Sequence, residues 1–128
     1  MSNTIDVLVV DDDPFIRELL LEVLVEAGYS VRGAASGAEA LAILATTTPR
    51  LLVTDLMMPE MSGEQLIEQV QAHGPPGMAI VSISAHVWDR RSAIPGTTAF
   101  LAKPFDIEAF LTLVTPLLAK DSDSEKMA

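Results

Sequence analysis

The stretch IDVLVVDDDPFIRELL, residues 5–20, changes period at its middle. Ile5–Val10 is a short, nearly continuous apolar run, the pattern of a strand buried on both faces. From Phe15 onward the apolar residues Phe15, Ile16, Leu19, Leu20, Val23 and Leu24 recur every three or four positions, while Arg17, Glu18, Glu22 and Glu26 take the other face. That is a helix with one buried stripe. Asp13-Pro14 is a good start for it, with an N-cap carboxylate and a proline whose φ is pre-set, and Gly28 is a good stop. Asp11 and Asp12 lie between the two periods, at the end of a buried strand. Negative charge pooled there needs a compensating cation, a neutralised acid or a reaction that uses it.

The same alternation continues along the chain. Leu51–Thr54, Met78–Ile83 and Ala99–Ala102 are further buried-strand candidates, with Ser30–Ala34 a weaker one. Helical patterns lie between them, over Ala38–Ala45, roughly Gly63–Ala72, and from Asp106 to about Leu118, where Pro116 should kink or shorten the end. The stretch AHVWDRRSAIPGTTA holds one short helical possibility around Trp88–Ala93 before Pro95-Gly96 breaks it. Strands this apolar, alternating with helices, predict an α/β fold, a parallel sheet covered on both faces with right-handed crossovers.

Length and composition narrow the function. At 128 residues the chain suits one domain, with residues 1–119 as its body and 120–128, KDSDSEKMA, as a flexible acidic tail. There is no cysteine, which excludes disulfides, a thiol nucleophile and cysteine-ligated zinc. The net charge of −10 would be repelled by a phosphate backbone or an anionic membrane, so neither nucleic acid nor membrane is expected as a direct partner. MSNTID has no basic n-region and no stretch approaches a membrane span, so the expected location is cytoplasmic.

In a parallel α/β sheet the loops at the strands' carboxyl ends converge on one edge, where ligands bind. Asp11 and Asp12 end the first strand, Asp55 the third, Ser84 the fourth and Lys103 the fifth. Each alone has a plain explanation as a cap or a solvated loop residue. Together they are three acids, a hydroxyl and an ammonium from four strand ends. Mg²⁺ suits such a set, since it takes a few carboxylates plus waters and the oxygens of a phosphorylated partner.

These residues resemble a family, the receiver domains of bacterial two-component response regulators. The resemblance runs through VLVVDDDPFIRELL (7–20), LLVTDLMMPEMSGEQL (51–66), VSISAH (81–86) and FLAKPF (100–105), nearly the whole chain. It implies a doubly wound, flavodoxin-like sheet of five strands in the order 2-1-3-4-5 with helices on both faces. It implies a stand-alone phosphoacceptor that takes a phosphoryl group from a histidine kinase or phosphotransfer protein and switches conformation toward a downstream protein. By that resemblance Asp55 is the phosphoacceptor, Asp11 and Asp12 hold Mg²⁺ with Asp55, and the Met57 backbone carbonyl adds a ligand. Ser84 and Lys103 take the hydroxyl and lysine positions, Phe100 the aromatic switch position, and His86 a position that tunes loss of the phosphoryl group. Such a domain assists its own phosphorylation and dephosphorylation without being an enzyme on another substrate.

The chain also departs from the family pattern. The segment from Ser84 to Lys103 is a few residues short and carries Ile94-Pro95-Gly96-Thr97 where an Ala-Gly-Ala turn is familiar, so the fourth helix of the pattern is expected to be short or irregular. Phe100 lacks the hydroxyl of the commoner tyrosine, so its switch would be steric only. Trp88 would fill the gap left by the short helix. His73 reads as a solvated loop residue, and Met57, Met58 and Met61 as turn packing. Three rivals remain. A degenerate receiver acting as a protein-interaction module would not need intact acids, Ser84 and Lys103. A haloacid-dehalogenase-type hydrolase needs an acid two residues after its nucleophile, where Met57 stands. A flavodoxin-like cofactor binder needs a phosphate-cradling loop where DDDPF is acidic.

Overall fold

Side chains alternate along the first strand, β1 (Asn3–Val10), so that Val7 and Val9 enter one core and Leu8 and Val10 the other. In the computed structural model, which describes residues 3–74, 77–85 and 97–127, with side chains over 4–74, 77–85 and 97–119, the elements follow in strict alternation up to β4. After β1 come α1 (Pro14–Glu26), β2 (Val31–Ala34), α2 (Gly37–Leu44), β3 (Thr47–Asp55), α3 (Gly63–His73) and β4 (Ala79–Ser84). β5 (Ala99–Ala102) and α4 (Ile107–Met127) complete the described elements. The five strands form one sheet in the order β2-β1-β3-β4-β5, every neighbouring pair parallel. This is the expected doubly wound α/β architecture.

Among the described residues, each face of the sheet is covered by two helices. Leu20 and Leu24 of α1 and Phe110, Val114 and Leu118 of α4 bury against Val7, Val9, Leu51, Val53, Val81 and Ile83. Ala40 and Ile43 of α2 and Leu66, Ile67 and Val70 of α3 bury against Leu8, Val10, Ala34, Leu52 and Ile80. Near-continuous apolar strands are therefore needed, because both of their faces are covered.

Several boundaries differ from the sequence reading. β3 begins at Thr47 rather than Leu51, and it includes Pro49 opposite Ile5 of β1. Proline is tolerated because β4 joins β3 only from Leu51, so the missing N–H faces no strand there. Asp6, an acid within the first apolar run, accepts from the Ser30 backbone N–H and from Arg50. Burial alone would raise its pKa, but these donors hold it below the usual carboxylate range. Phe15 is 74% exposed, since the buried stripe of α1 runs through Leu20 and Leu24 and Phe15 lies at the helix start, off that line.

α4 passes through Pro116 and continues to Met127, well beyond Leu118. Residues 117–127 contain neither glycine nor a second proline, so nothing stops the helix once it is past Pro116. Arg50 also donates to the carbonyl of Leu118, which ties this helix to β3. The positions read as the family pattern's fourth helix, with His86 and Trp88, fall in 86–96, outside the described residues. No helix among the described residues is long and apolar enough to cross a membrane.

Candidate functional site

The β1–β3 register decides where the acids meet. Val10 lies opposite Thr54, so the next residues along, Asp11 and Asp55, emerge side by side where the two strands end. The strand order reverses direction at β1 and β3, and this edge is the crevice in which open α/β sheets bind ligands. Asp11, Asp12 and Asp55 each present a carboxylate oxygen within 4.8 Å of the others. Asp11 and Asp55 are buried, at 1% and 5% exposure, while Asp12 is exposed.

Lys103 enters from the other side of the sheet. Its backbone N–H donates to the Ser84 carbonyl at 2.8 Å, which extends the β4–β5 ladder by one step. From there its Nζ lies 3.4 Å from Asp55 Oδ2 and 3.5 Å from Asp11 Oδ2. Burial raises the pKa of both acids, Asp55 further through the charge of Asp11 and Asp11 further through that of Asp12, and Lys103 offsets only part of this. For Lys103 the balance is reversed, since burial pulls its pKa down and the two carboxylates outweigh it, raising it above 10.5. Among the described residues, three carboxylates against one ammonium leave the cluster short of positive charge. A divalent cation fits that deficit, and the donors are the hard oxygens that Mg²⁺ prefers.

Local hydrogen bonds fix the acids. Asp11 accepts from the Asp13 N–H at 2.9 Å, and Asp13 in turn caps α1 by accepting from the Phe15 N–H at 2.9 Å. Asp55 accepts from the Met57 N–H at 3.4 Å, and the Thr54 hydroxyl donates to the Asp55 carbonyl at 3.0 Å. The Leu56 N–H donates to the Ile83 carbonyl at 2.9 Å, which carries the chain one step past the β3–β4 ladder before the turn.

Of the residues selected from sequence, Asp11, Asp12, Asp55 and Lys103 come together, and Ser84, 3% exposed, ends β4 beside Lys103. Phe100 is 43% exposed on β5, opposite Ser82, so it shares a sheet face with Ser84 one pleat repeat away. Met58 and Met61 pack on the α2–α3 core as expected, but Met57 is 59% exposed and is not turn packing. Its position straight after Leu56 turns it out of the sheet edge. His73 is the last residue of α3, and it is exposed.

Two residues were missed. Arg17, read as part of the solvent face of α1, donates from Nη1 to the Asp11 carbonyl at 2.7 Å. Gly63, read only as a helix start, touches the back of the Asp55 turn. A Cβ there would meet the Asp55 carbonyl oxygen and lie 2.7 Å from Leu56 Cα. Both obstacles are backbone, so only glycine lets α3 approach so closely. The signal for Gly63 was its place directly after the N-cap Ser62, which forms a capping box with Gln65.

The family model of the response regulator receiver domain matches residues 7–115. An uncharacterized 14.6 kDa protein of Leptolyngbya boryana is 40% identical over 114 residues, covering 85% of this chain and 86% of that protein. Other curated relatives, at 36 to 38% identity, are longer transcriptional regulatory proteins and response regulators of which this chain spans between about a quarter and about half. Among solved structures, the chemotaxis response regulator CheY4 of Vibrio cholerae superposes with a TM-score of 0.82 at 28% identity, over 91% of this chain and 99% of that one. The response regulator TrrA of Thermotoga maritima, solved in complex with Mg(2+)-BeF, gives 0.79 at 29% identity over 90% and 98%.

Proposed function

We propose that this chain, which belongs to the response regulator receiver domain family, is a phosphoacceptor that takes a phosphoryl group on Asp55 from a phosphohistidine on a histidine kinase or phosphotransfer protein. The observation that carries this reading is the ammonium of Lys103, set 3.4 Å from Asp55 and 3.5 Å from Asp11 at the mouth of a three-carboxylate cluster. An Asp55 carboxylate oxygen forms the new P–O bond as the donor's P–N bond breaks, and the electron pair stays on the departing imidazole. Such a transfer depends on alignment and charge stabilisation.

Asp11, Asp12 and Asp55, with the Met57 carbonyl, would hold Mg²⁺, which when bound cancels repulsion between the incoming phosphoryl group and the acids. TrrA, solved with Mg(2+)-BeF, supports that choice of ion by analogy. Lys103, a compact cation with three donors, moves with the phosphoryl group from carboxylate to phosphoryl oxygen. Ser84 donates to another phosphoryl oxygen and shifts toward it. Phe100, on the same face of the sheet, turns into the space vacated and changes the surface that a downstream protein meets. His86, two residues beyond Ser84, tunes access of the attacking water and so the lifetime of the phosphoryl group.

Incubation with acetyl phosphate and Mg²⁺, followed by intact-mass measurement, tests the reading. One phosphoryl group per chain is expected, dependent on Mg²⁺ and absent from Asp55→Asn. Undiminished labelling of Asp55→Asn would overturn the assignment of the acceptor.

A further inference from the structure

Asp11 is the residue at which β1 leaves the sheet. Its N–H still donates to the Ala34 carbonyl of β2 at 3.1 Å, but its own carbonyl is past the last paired step. That carbonyl accepts from Arg17 Nη1 at 2.7 Å, a charge-assisted bond across six residues. The reach is natural for a helical residue, because side chains on a helix lean toward its N-terminus. Gly33 of β2 leaves room for it. A Cβ at that position would lie 2.8 Å from Leu21 Cδ1 and in ordinary contact, at 3.4 and 3.5 Å, with Arg17 Cδ and Cγ, so the arginine stem runs along β2 at this glycine.

Three bonds thus tie the 11–13 turn to the start of α1. The Asp11 carboxylate is held by the Asp13 N–H, Asp13 caps α1, and Arg17 on the first turn of that same helix returns to the Asp11 carbonyl. We infer that Arg17 is a positioning residue: it locks the 11–13 turn to α1 so that the carboxylates of Asp11 and Asp12 are pre-set toward Asp55 before any ligand arrives. The guanidinium is spent on a carbonyl, not on the carboxylates, so it orders the acids without competing with a cation for their oxygens. Such outer support commonly changes metal affinity by about 10- to 100-fold when removed.

The metal half of the inference rests on the phosphoacceptor reading, and the test separates the two. Arg17→Met keeps the stem and removes the donors, and Arg17→Lys restores one cationic donor. Calorimetric Mg²⁺ titration is expected to show about 10-fold weaker binding for Arg17→Met and partial recovery for Arg17→Lys. Amide exchange measured by NMR in metal-free protein is expected to quicken at Asp12 and Asp13 in Arg17→Met, and the Leu52 and Val53 amides in β3 should keep their protection. Wild-type Mg²⁺ affinity in Arg17→Met, or unchanged exchange at Asp12 and Asp13, would overturn the inference. Should the wild-type chain bind no Mg²⁺, the metal-site reading fails, and the exchange rates alone decide whether Arg17 orders the turn.

Discussion

Lys103 Nζ lies 3.4 Å from Asp55 Oδ2, and this ion pair is made between two strands that do not touch, β5 at one edge of the sheet and β3 at its centre. The lysine crosses over the end of β4 to reach its partner, and it also meets Asp11 beyond it. It is the group that lets two buried carboxylates remain side by side. Replacing it with methionine leaves both acids without that countercharge. Lys103→Met is expected to lose about 2 kcal/mol at pH 7, less than for a fully enclosed pair because the lysine side chain is 23% exposed. It should also abolish transfer from acetyl phosphate while leaving Mg²⁺ binding in place. Urea unfolding and labelling measured on the same preparation check both halves, and transfer at the wild-type rate would remove Lys103 from the mechanism.

Gly63 supports the Asp55 turn from behind. A methyl group there has no side chain to push aside, only the Asp55 carbonyl and the Leu56 backbone. Gly63→Ala must therefore move α3 or the Asp55 turn, at a cost of about 1–3 kcal/mol by the measure of overpacked sites. Because the displaced atoms belong to Asp55 itself, labelling should fall more steeply than stability does. Gly28→Ala is the natural control. Gly28 has φ +99 with nothing within 4 Å of its absent Cβ, so that variant should lose stability without a selective loss of labelling.

The acids were legible because each ends a buried apolar run, and a strand that stops on a carboxylate announces the edge of a sheet. Asp11 and Asp55 fall at adjacent strand ends only through the β1–β3 register, which pattern alone suggests and pairing decides. Lys103 was less plain, since a lysine after a four-residue run is common, and it gained meaning from the charge it would face. Arg17 was not legible. Its helical phase set it among the glutamates, and only the backward lean of a long side chain brings it to Asp11. Gly63 was hidden for a different reason, because a close approach between backbones leaves no trace in periodicity. Phe15 misled in the opposite sense, having the period of the buried stripe but lying too near the helix start to be covered.

Pro116 sits inside α4 on an exposed turn, between the buried Val114 and Leu118. A proline there removes one backbone hydrogen bond and crowds the carbonyl four residues earlier. The apolar contacts on either side carry the helix past it. Pro116→Ala is expected to raise stability by about 1–2 kcal/mol, the helical gain being reduced by the greater freedom of the unfolded chain. Circular dichroism during urea unfolding measures this, and a loss of stability would mean that the proline shapes the packing of α4 rather than straining it.

The charged cluster also sets how the metal-free chain responds to pH. Asp11 and Asp55 are held above the ordinary carboxylate value of 3.8, chiefly by burial. Between that value and their raised values the folded chain keeps protons that the unfolded chain has released, so folding takes up protons and stability rises as pH falls. Asp6 works the other way, because the Ser30 N–H and Arg50 hold it below 3.8, and its contribution is lost as pH falls beneath that value. Lys103, raised above 10.5, contributes throughout this range. In chelator, urea midpoints taken from about pH 8 down to about pH 4 are therefore expected to climb, and the loss from Asp6 follows only below 3.8. Asp55→Asn should be more stable than wild type at pH 7 and show a shallower climb, since one of the two raised carboxylates and its repulsion with Asp11 are gone. Saturating Mg²⁺ should flatten the wild-type climb, because an ion bound to the ionised acids favours the folded state most at the pH where burial penalises those acids. A midpoint that rises steadily with pH in chelator would show that Lys103 fully neutralises the pair, and the cluster would then have no charge deficit for a cation to fill.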